Sequence, residues 1–240
     1  MIKIVSFKIC PFVQRVTALL EAKKITYDIE YIDLSDKPDW FLEMSPNGQV
    51  PILITDDNQV LFESDAIVEY IEEVTEPSLL SPDPVQKAQD RAWSYLASKN
   101  YLVQCSAQRS TNQETLTERA SKLATAFAKI ETKLGDARYI NGDSLSIVDI
   151  SWLPLLHRAN IIEQNSGFDF LSAFPKVKRW QNTMLETDLA EKSVPEDFED
   201  RFISFYLSDS TYLGQLTKKN KDITCSNNSE CKPVDMLCCS

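Results

Sequence analysis

Histidine is nearly absent from this chain: its 240 residues include one, His157. A histidine-rich metal site is thereby excluded, and any Ser–His–Asp triad would have to use this residue. Its setting, Trp152-Leu153-Pro154-Leu155-Leu156-His157, reads as a buried helix, so a structural or surface role is expected. Positive charge is scarce as well. Twenty-five Lys and Arg stand against 36 Asp and Glu, for a net charge of −11. That argues against a nucleic-acid backbone as partner, which would want a basic face, and against anionic membrane surfaces. Long apolar runs are missing too. The richest stretch, Ile150 to Leu156, contains a proline and falls far short of the ~20 residues of a membrane span. No basic-then-apolar leader follows Met1, so a reducing cytosol is the expected compartment. Of the six cysteines, Cys10 and Cys105 are isolated, while Cys225, Cys231, Cys238 and Cys239 cluster near the end. This is not the layout of a disulfide scaffold, and it lacks the paired C-x2-C spacing of zinc sites, so no metal is expected.

What is present begins with a cysteine at a strand-to-helix junction. Ile2 to Phe7 reads as a short buried strand, and Pro11 to Ala22 as a helix with Val13, Val16 and Leu20 on one face. Proline suits the first helical position, because its missing N–H is one the helix would leave unpaired. Cys10 then occupies the N-cap, beside free amides and the positive end of the helix dipole. Both favour a thiolate, the reactive form. No second cysteine follows at the C-x-x-C spacing, so an intramolecular dithiol is not expected at this site. A redox cycle would need an external thiol to resolve a mixed disulfide, which points to glutathione.

Further along, Tyr27 to Ile32 alternates like a strand and should run parallel to the first. Pro38 to Met44 is a short helical or irregular piece. Ile52-Leu53-Ile54 and Val60-Leu61-Phe62 flank a polar turn and read as a hairpin, followed by a helix from about Asp65 to Val74. Val50-Pro51 precedes the hairpin. Read from spacing alone it is a turn proline, although an exposed Val50 backbone could also pair with an extended peptide. Glu63-Ser64-Asp65 marks the next helix start, with Ser64 as N-cap. Its free amides suit a carboxylate and Glu63 suits an ammonium group, or the residues serve as simple caps.

Prolines and serines concentrate at 76–84, which reads as a linker. Helical periodicity dominates afterwards. Val85, Ala88, Ala92, Tyr95 and Leu96 are expected to share a face, and Leu116, Ala120, Leu123, Phe127, Ile130 and Leu134 follow a 4-3-4-3-4 spacing. Ser146 to Asp149 resembles a capping box opening a helix through Leu156. Further helices are expected over Pro175 to Leu185 and Pro195 to Leu207. From Gly214 the chain turns polar and aperiodic.

Four ordered stretches carry a family resemblance: Lys8-Ile9-Cys10-Pro11-Phe12, Leu34 to Phe41, Pro46 to Leu53, and Phe62 to Ile67. In order and spacing they resemble cytosolic glutathione transferases. The Cys-Pro-Phe start and the Lys-Pro-Asp-Trp-Phe stretch are most similar to the omega class and to plant dehydroascorbate reductases. The resemblance implies an α/β thioredoxin-like domain (β-α-β-α-β-β-α) at 1–75, the linker at 76–84, an all-α domain at 85–213, and a polar cysteine-containing tail at 214–240. It implies that Cys10 forms a mixed disulfide with glutathione. Val50 would pair with the cysteinyl part before a cis Pro51, Glu63 and Ser64 would hold the γ-glutamyl end, and Lys37 the glycyl end, with Phe12 beside them. Trp93, Leu96 and Tyr101 are candidates for the acceptor site, and equally for core or dimer contacts. Conjugation to electrophiles should be weak, and thiol transfer or dehydroascorbate reduction stronger. Partners would be glutathione and a small electrophilic or disulfide substrate, in a homodimer or a monomer. Two alternatives are a glutathione-binding module without turnover and a relative of the intracellular chloride channel proteins.

Overall fold

The computed structural model describes residues 1–227, with side chains through 220. Strand β1 (Ile2–Ser6) leads into helix α1 (Pro11–Ala22), β2 (Tyr27–Tyr31), α2 (Asp39–Met44), β3 (Ile52–Ile54), β4 (Val60–Phe62) and α3 (Ser64–Val74). The strands form one mixed sheet in the order β2-β1-β3-β4. β1 runs parallel to β2 and antiparallel to β3, with Ile4 opposite Ile29 and Leu53. Alternation then sends Ile4 and Leu53 to the main core, beneath α1 and α3. Val5 and Ile52 point the other way, where Phe41 of α2 and Ile32 complete a smaller core.

Helix α1 is amphipathic by design. Val13, Val16, Leu19 and Leu20 are all buried. Its end is fixed by Lys24, whose φ of 56° is left-handed, and by the Ile25 N–H donating to the Leu20 carbonyl at 2.9 Å. That is a Schellman-type termination.

Thr75 to Asp83 leads to the helical half: α4 (Pro84–Gln108), α5 (Gln113–Lys133), α6 (Ile147–Ser166), α7 (Pro175–Leu185), α8 (Leu189–Lys192), α9 (Phe198–Tyr206) and α10 (Tyr212–Asn227). The expected stripe on α5 packs inward from Leu116 to Leu134. Asp149 forms the anticipated capping box at the start of α6, and also accepts from Trp180 Nε1 at 2.8 Å.

Several expectations are corrected. The buried face of α4 is Asp90, Ser94, Ala97, Ser98, Tyr101 and Gln104, while Val85 is 66% exposed. That face is polar because its side chains bond to the main chain of α6: Tyr101 Oη donates to the Ser151 carbonyl, and Gln104 Nε2 to the Leu155 carbonyl at 2.9 Å. A hydrophobicity pattern passes over such a face. α6 does not stop at Leu156. It continues through Pro154 to Ser166 and ends on Gly167, at φ 72°. Packing against neighbours on all sides outweighs the proline. The supposed aperiodic tail begins as α10, with Leu213 and Thr217 buried. Cys231, Cys238 and Cys239 lie outside the described residues, and of the cluster only the backbone of Cys225 is described. Among the described residues no helix is long and apolar enough to cross a membrane.

Candidate active site

Cys10 is the N-cap of α1, with extended backbone at φ −77° and ψ 123°, and Pro11 opens the helix. Its amide donates to the Phe7 carbonyl at 3.0 Å and its carbonyl accepts from Gln14 N at 3.1 Å. The sulfur makes no formal cap hydrogen bond. The amides of Val13 and Phe12 and the Arg158 guanidinium still pull the thiol pKa down, while the nearby Cys105 pushes it up. Burial is the larger effect and raises the thiol to about 11. The expectation of a thiolate is corrected on this point. The helix-start electrostatics are present, but burial outweighs them.

The β1–β3 register brings Val50 toward this junction. The ladder ends with Val5 opposite Ile52, and Val50 lies two residues before it in the chain. The Val50–Pro51 peptide is cis. Pro51 is buried at the head of β3, and the main-chain groups of Val50 take no partner among the described residues. The β4–α3 junction carries a second irregularity. Glu63 has φ 66° and ψ 116°, and it, not Ser64, is the N-cap of α3. Positive φ in a residue other than glycine costs ~1–2 kcal/mol. Ser64 is the first helical residue and is buried. Asn47 Nδ2 donates to Glu63 Oε1 at 2.8 Å, tying the loop before the cis proline to this corner. Directly after Asn47, Gly48 has φ 57°, and the position of a Cβ on it would lie 3.8 Å from Lys37 Nζ. Lys37 is half-buried and has no ion pair among the described residues. The loop at 45–51 thus links Lys37, Val50 and Glu63 along one edge.

Behind this edge lies a layer that sequence reading missed. Arg15 is buried, pairs with Asp65 of α3, and donates through Nε to Ser151 Oγ of α6 at 3.0 Å. Ser98 of α4 donates to Asp65 Oδ1 at 3.2 Å. The Asp65 carboxylate thus ties α3 to α1 and α4, and Arg15 carries the link on to α6. Gln14 bonds His157 Nδ1 at 2.9 Å and the ring is buried, so this histidine is part of the core, where burial lowers its pKa to about 3. No local signal marks these residues, because their partners stand far away in sequence.

The acceptor-site candidates are partly displaced. Tyr101 is fully buried and its ring meets Phe12 edge-on at 5.1 Å, so it is core. Trp93 and Leu96 are half-buried against the main core. A large opening next to the Cys10 segment is lined by Phe7, Lys8, Ile9 and Tyr31 on one side and Asp197, Arg201 and Phe205 on the other. It encloses about 890 Å³. Its rim is closed by Lys8 Nζ, 2.8 Å from Asp197 Oδ2 and 5.5 Å above the Tyr31 ring. A second opening of about 790 Å³ lies at the far end of α1, around Ile25 and Leu189, and includes none of the expected site residues.

Residues 9–74 match the family model described as "Glutathione S-transferase, N-terminal domain", and residues 113–180 match "Glutathione S-transferase, C-terminal domain". The chain is 33% identical over 214 residues to glutathione S-transferase omega-1 of Rattus norvegicus, covering 87% of each chain. It is 33% identical to the probable chloroplastic glutathione S-transferase DHAR2 of Oryza sativa subsp. japonica, over 77% of this chain and 65% of that one. Among solved structures, glutathione transferase Omega 3C from Trametes versicolor shares the fold with a TM-score of 0.71 at 23% identity, over 82% of this chain and 91% of that one. A rice enzyme, OsGSTU1, solved in complex with glutathione, superposes with a TM-score of 0.74 at 22% identity, over 91% of this chain and 96% of that one. With both halves matched in order and an omega-class relative covering most of its length, the chain belongs to the glutathione S-transferase family.

Proposed function

We propose that this protein is a glutathione-dependent thiol transferase or dehydroascorbate reductase that works through Cys10. The observation that carries the reading is the pairing of two features at one end of the sheet. A cysteine caps α1 after β1, and the unpaired backbone of Val50 lies just before β3, the strand that pairs with β1. An extended thiol peptide added at Val50 by strand-type hydrogen bonds would lie along the edge that ends at Cys10. Glutathione carries two carboxylates and one ammonium. The Lys37 amine suits the glycyl carboxylate, the first-turn amides of α3 at Ser64 suit the γ-glutamyl carboxylate, and Glu63 suits the ammonium.

In this reading Cys10 gives up its proton, and its sulfur attacks the glutathionyl sulfur of a mixed disulfide. The Cys10–glutathione bond forms as the substrate's thiolate leaves. A second glutathione then regenerates Cys10. Dehydroascorbate fits the same centre. Conjugation of glutathione to electrophiles should be weak, since a cysteine stands where a hydroxyl would activate the bound thiol.

A second reading is a glutathione-binding module without turnover, consistent with the burial that raises the Cys10 thiol to about 11. A panel of dehydroascorbate, a glutathione mixed disulfide and an aromatic halide, run on wild type and Cys10→Ser, separates the two. Reduction of the first two substrates by wild type alone supports the enzyme. No turnover of any substrate by wild type, with glutathione still bound, supports the module.

A further inference from the structure

The large opening beside the Cys10 segment has a lining that fits one kind of ligand. Cys10 lines a narrow crevice together with Phe7, Lys8 and Tyr31, and these three residues also line the opening. The two spaces therefore adjoin through shared walls. At about 890 Å³ the opening falls within the ~300–1,000 Å³ that suits a small molecule. Its apolar surface comes from both halves of the chain: Phe7, Ile9 and Leu34 from the sheet side, and Phe205 of α9 opposite. Leu34 and Phe205 are exposed to solvent there. Two of its rings already carry a cation on their faces. Lys8 Nζ stands 5.5 Å from the Tyr31 centroid, and the Arg109 guanidinium 5.4 Å from that of Phe205.

The charges of this lining are unevenly paired. Three carboxylates, Asp33, Asp197 and Asp200, stand against two cations, Lys8 and Arg201, so the lining sums to −1. Both cations are held by one oxygen, Asp197 Oδ2: Lys8 Nζ at 2.8 Å, and Arg201 through Nε. Asp33 and Asp200 have no cation partner among the described residues. Asp33 is held in place all the same. Its Oδ1 accepts Ser35 N at 2.8 Å and Ser35 Oγ at 2.7 Å. Those two bonds keep its carboxyl below the usual pKa, and Oδ2 takes no partner among the described residues. A positioned carboxylate beside apolar walls complements a cation carried on an apolar body, whereas an anion would meet Asp33 and Asp200 as like charges.

We propose that the preferred substrates of this protein are disulfides whose leaving half joins an apolar or aromatic body to a positive charge. This rests on the reading that Cys10 carries out glutathione-dependent thiol transfer. The chemical step is that of the reading itself: the Cys10 sulfur bonds to the glutathionyl sulfur, the substrate's disulfide breaks, and the departing thiol takes up the proton that Cys10 gave. The body of that thiol lies against Leu34 and Phe205, and its cation meets Asp33 or Asp200. Ion pairs at exposed carboxylates are individually weak, so the preference is graded, and salt diminishes it.

The test measures kcat/KM for two mixed disulfides of glutathione that differ in the charge of the leaving half, one with 4-(aminomethyl)benzyl thiol and one with 4-carboxybenzyl thiol. Full-length wild type is expected to favour the cationic one about fivefold or more at low ionic strength. Asp33→Asn combined with Asp200→Asn changes the lining from −1 to +1 and is expected to bring the ratio to one or below. The two single variants, expected to fall between, serve if the double variant is unstable. Comparing the ratio across proteins cancels the intrinsic reactivity of the two disulfides, and the chain's overall charge of −11 is barely altered. Equal kcat/KM for the two disulfides in wild type, or a ratio that the substitutions leave unchanged, overturns the proposal. Calorimetric binding of the same two disulfides to Cys10→Ser separates this from the underlying reading. If wild type turns over neither disulfide, that reading fails, and tighter binding of the cationic disulfide, abolished when the Asn substitutions are added to Cys10→Ser, still supports the charge preference. Equal binding of the two overturns it.

Discussion

Asp149 holds the start of α6, the helix that carries Ser151 and Arg158 behind the site, and its removal should cost much of the protein's stability. The carboxylate is fully buried and accepts four hydrogen bonds, two on each oxygen. Oδ1 takes Ile140 N at 3.1 Å and Trp180 Nε1 at 2.8 Å. Oδ2 takes Ser146 N at 2.8 Å and Ser146 Oγ at 2.6 Å. Asp149→Ala strands three buried N–H donors, and the Ser146 hydroxyl can rotate elsewhere. At ~1–3 kcal/mol for each stranded donor, the loss is about 3–9 kcal/mol, comparable to the whole stability of a domain. Asp149→Asn preserves the bonds to its oxygen and loses those where the amide nitrogen now stands, so about half of that cost is expected. Urea denaturation of the three proteins measures this directly, with stability read from midpoint and slope. A loss below about 1 kcal/mol for Asp149→Ala, or equal losses for Ala and Asn, would refute the hydrogen-bond account.

Three further outcomes are expected from the same structure. Burial lowers the His157 pKa from 6.5 to about 3, so its neutral form stabilises the fold fully above the unfolded value. That stability is lost as pH falls below 6.5, by ~1.4 kcal/mol per pH unit at most; thermal melts from pH 7 to 4.5 should show the slope in wild type and a shallower one in His157→Gln, and equal slopes would contradict it. Lys37→Ala and Glu63→Gln should each raise the KM for glutathione about tenfold with kcat little changed, as expected for loss of a charged hydrogen bond of ~1.5 kcal/mol; unchanged KM in both would remove them from the site. A Cβ at Gly214 would collide with the main-chain carbonyls of Ser208 and Leu207, so Gly214→Ala should loosen α10 and lower the melting temperature, whereas an unchanged melt would show that α10 is not seated there.

The features legible in the sequence were those with local causes. Pro11 after Cys10, the polar turn between Ile54 and Val60, and the 4-3-4-3-4 stripe of α5 each encode their own conformation within a few residues. Lys37 enters only through the resemblance, while Val50 and Glu63 also have a local reading beside those of a turn proline and a simple cap. The structure adds the loop that joins them and the left-handed backbone of Glu63, which no residue preference announces. The polar layer beneath was illegible for a physical reason. Arg15 with Asp65, Gln14 with His157, and Arg158 with Ile9 are pairs 50 to 149 residues apart, and apart from His157, whose apolar flanks read as buried, the charged and amide side chains taken alone read as surface. The same holds for α4, where buried Ser94, Ser98 and Gln104 disguise an inward face as a solvated one. The thiol was misjudged because helix-start electrostatics are local and burial is not.

The central claim is that Cys10 performs the chemistry, and glutathione-dependent reduction of a glutathione mixed disulfide by wild type and by Cys10→Ser tests it most directly. The account predicts turnover by wild type and loss of at least 100-fold in kcat/KM for Cys10→Ser, about 2.7 kcal/mol of transition-state stabilisation, with glutathione binding retained. Equal turnover by the two proteins would contradict it.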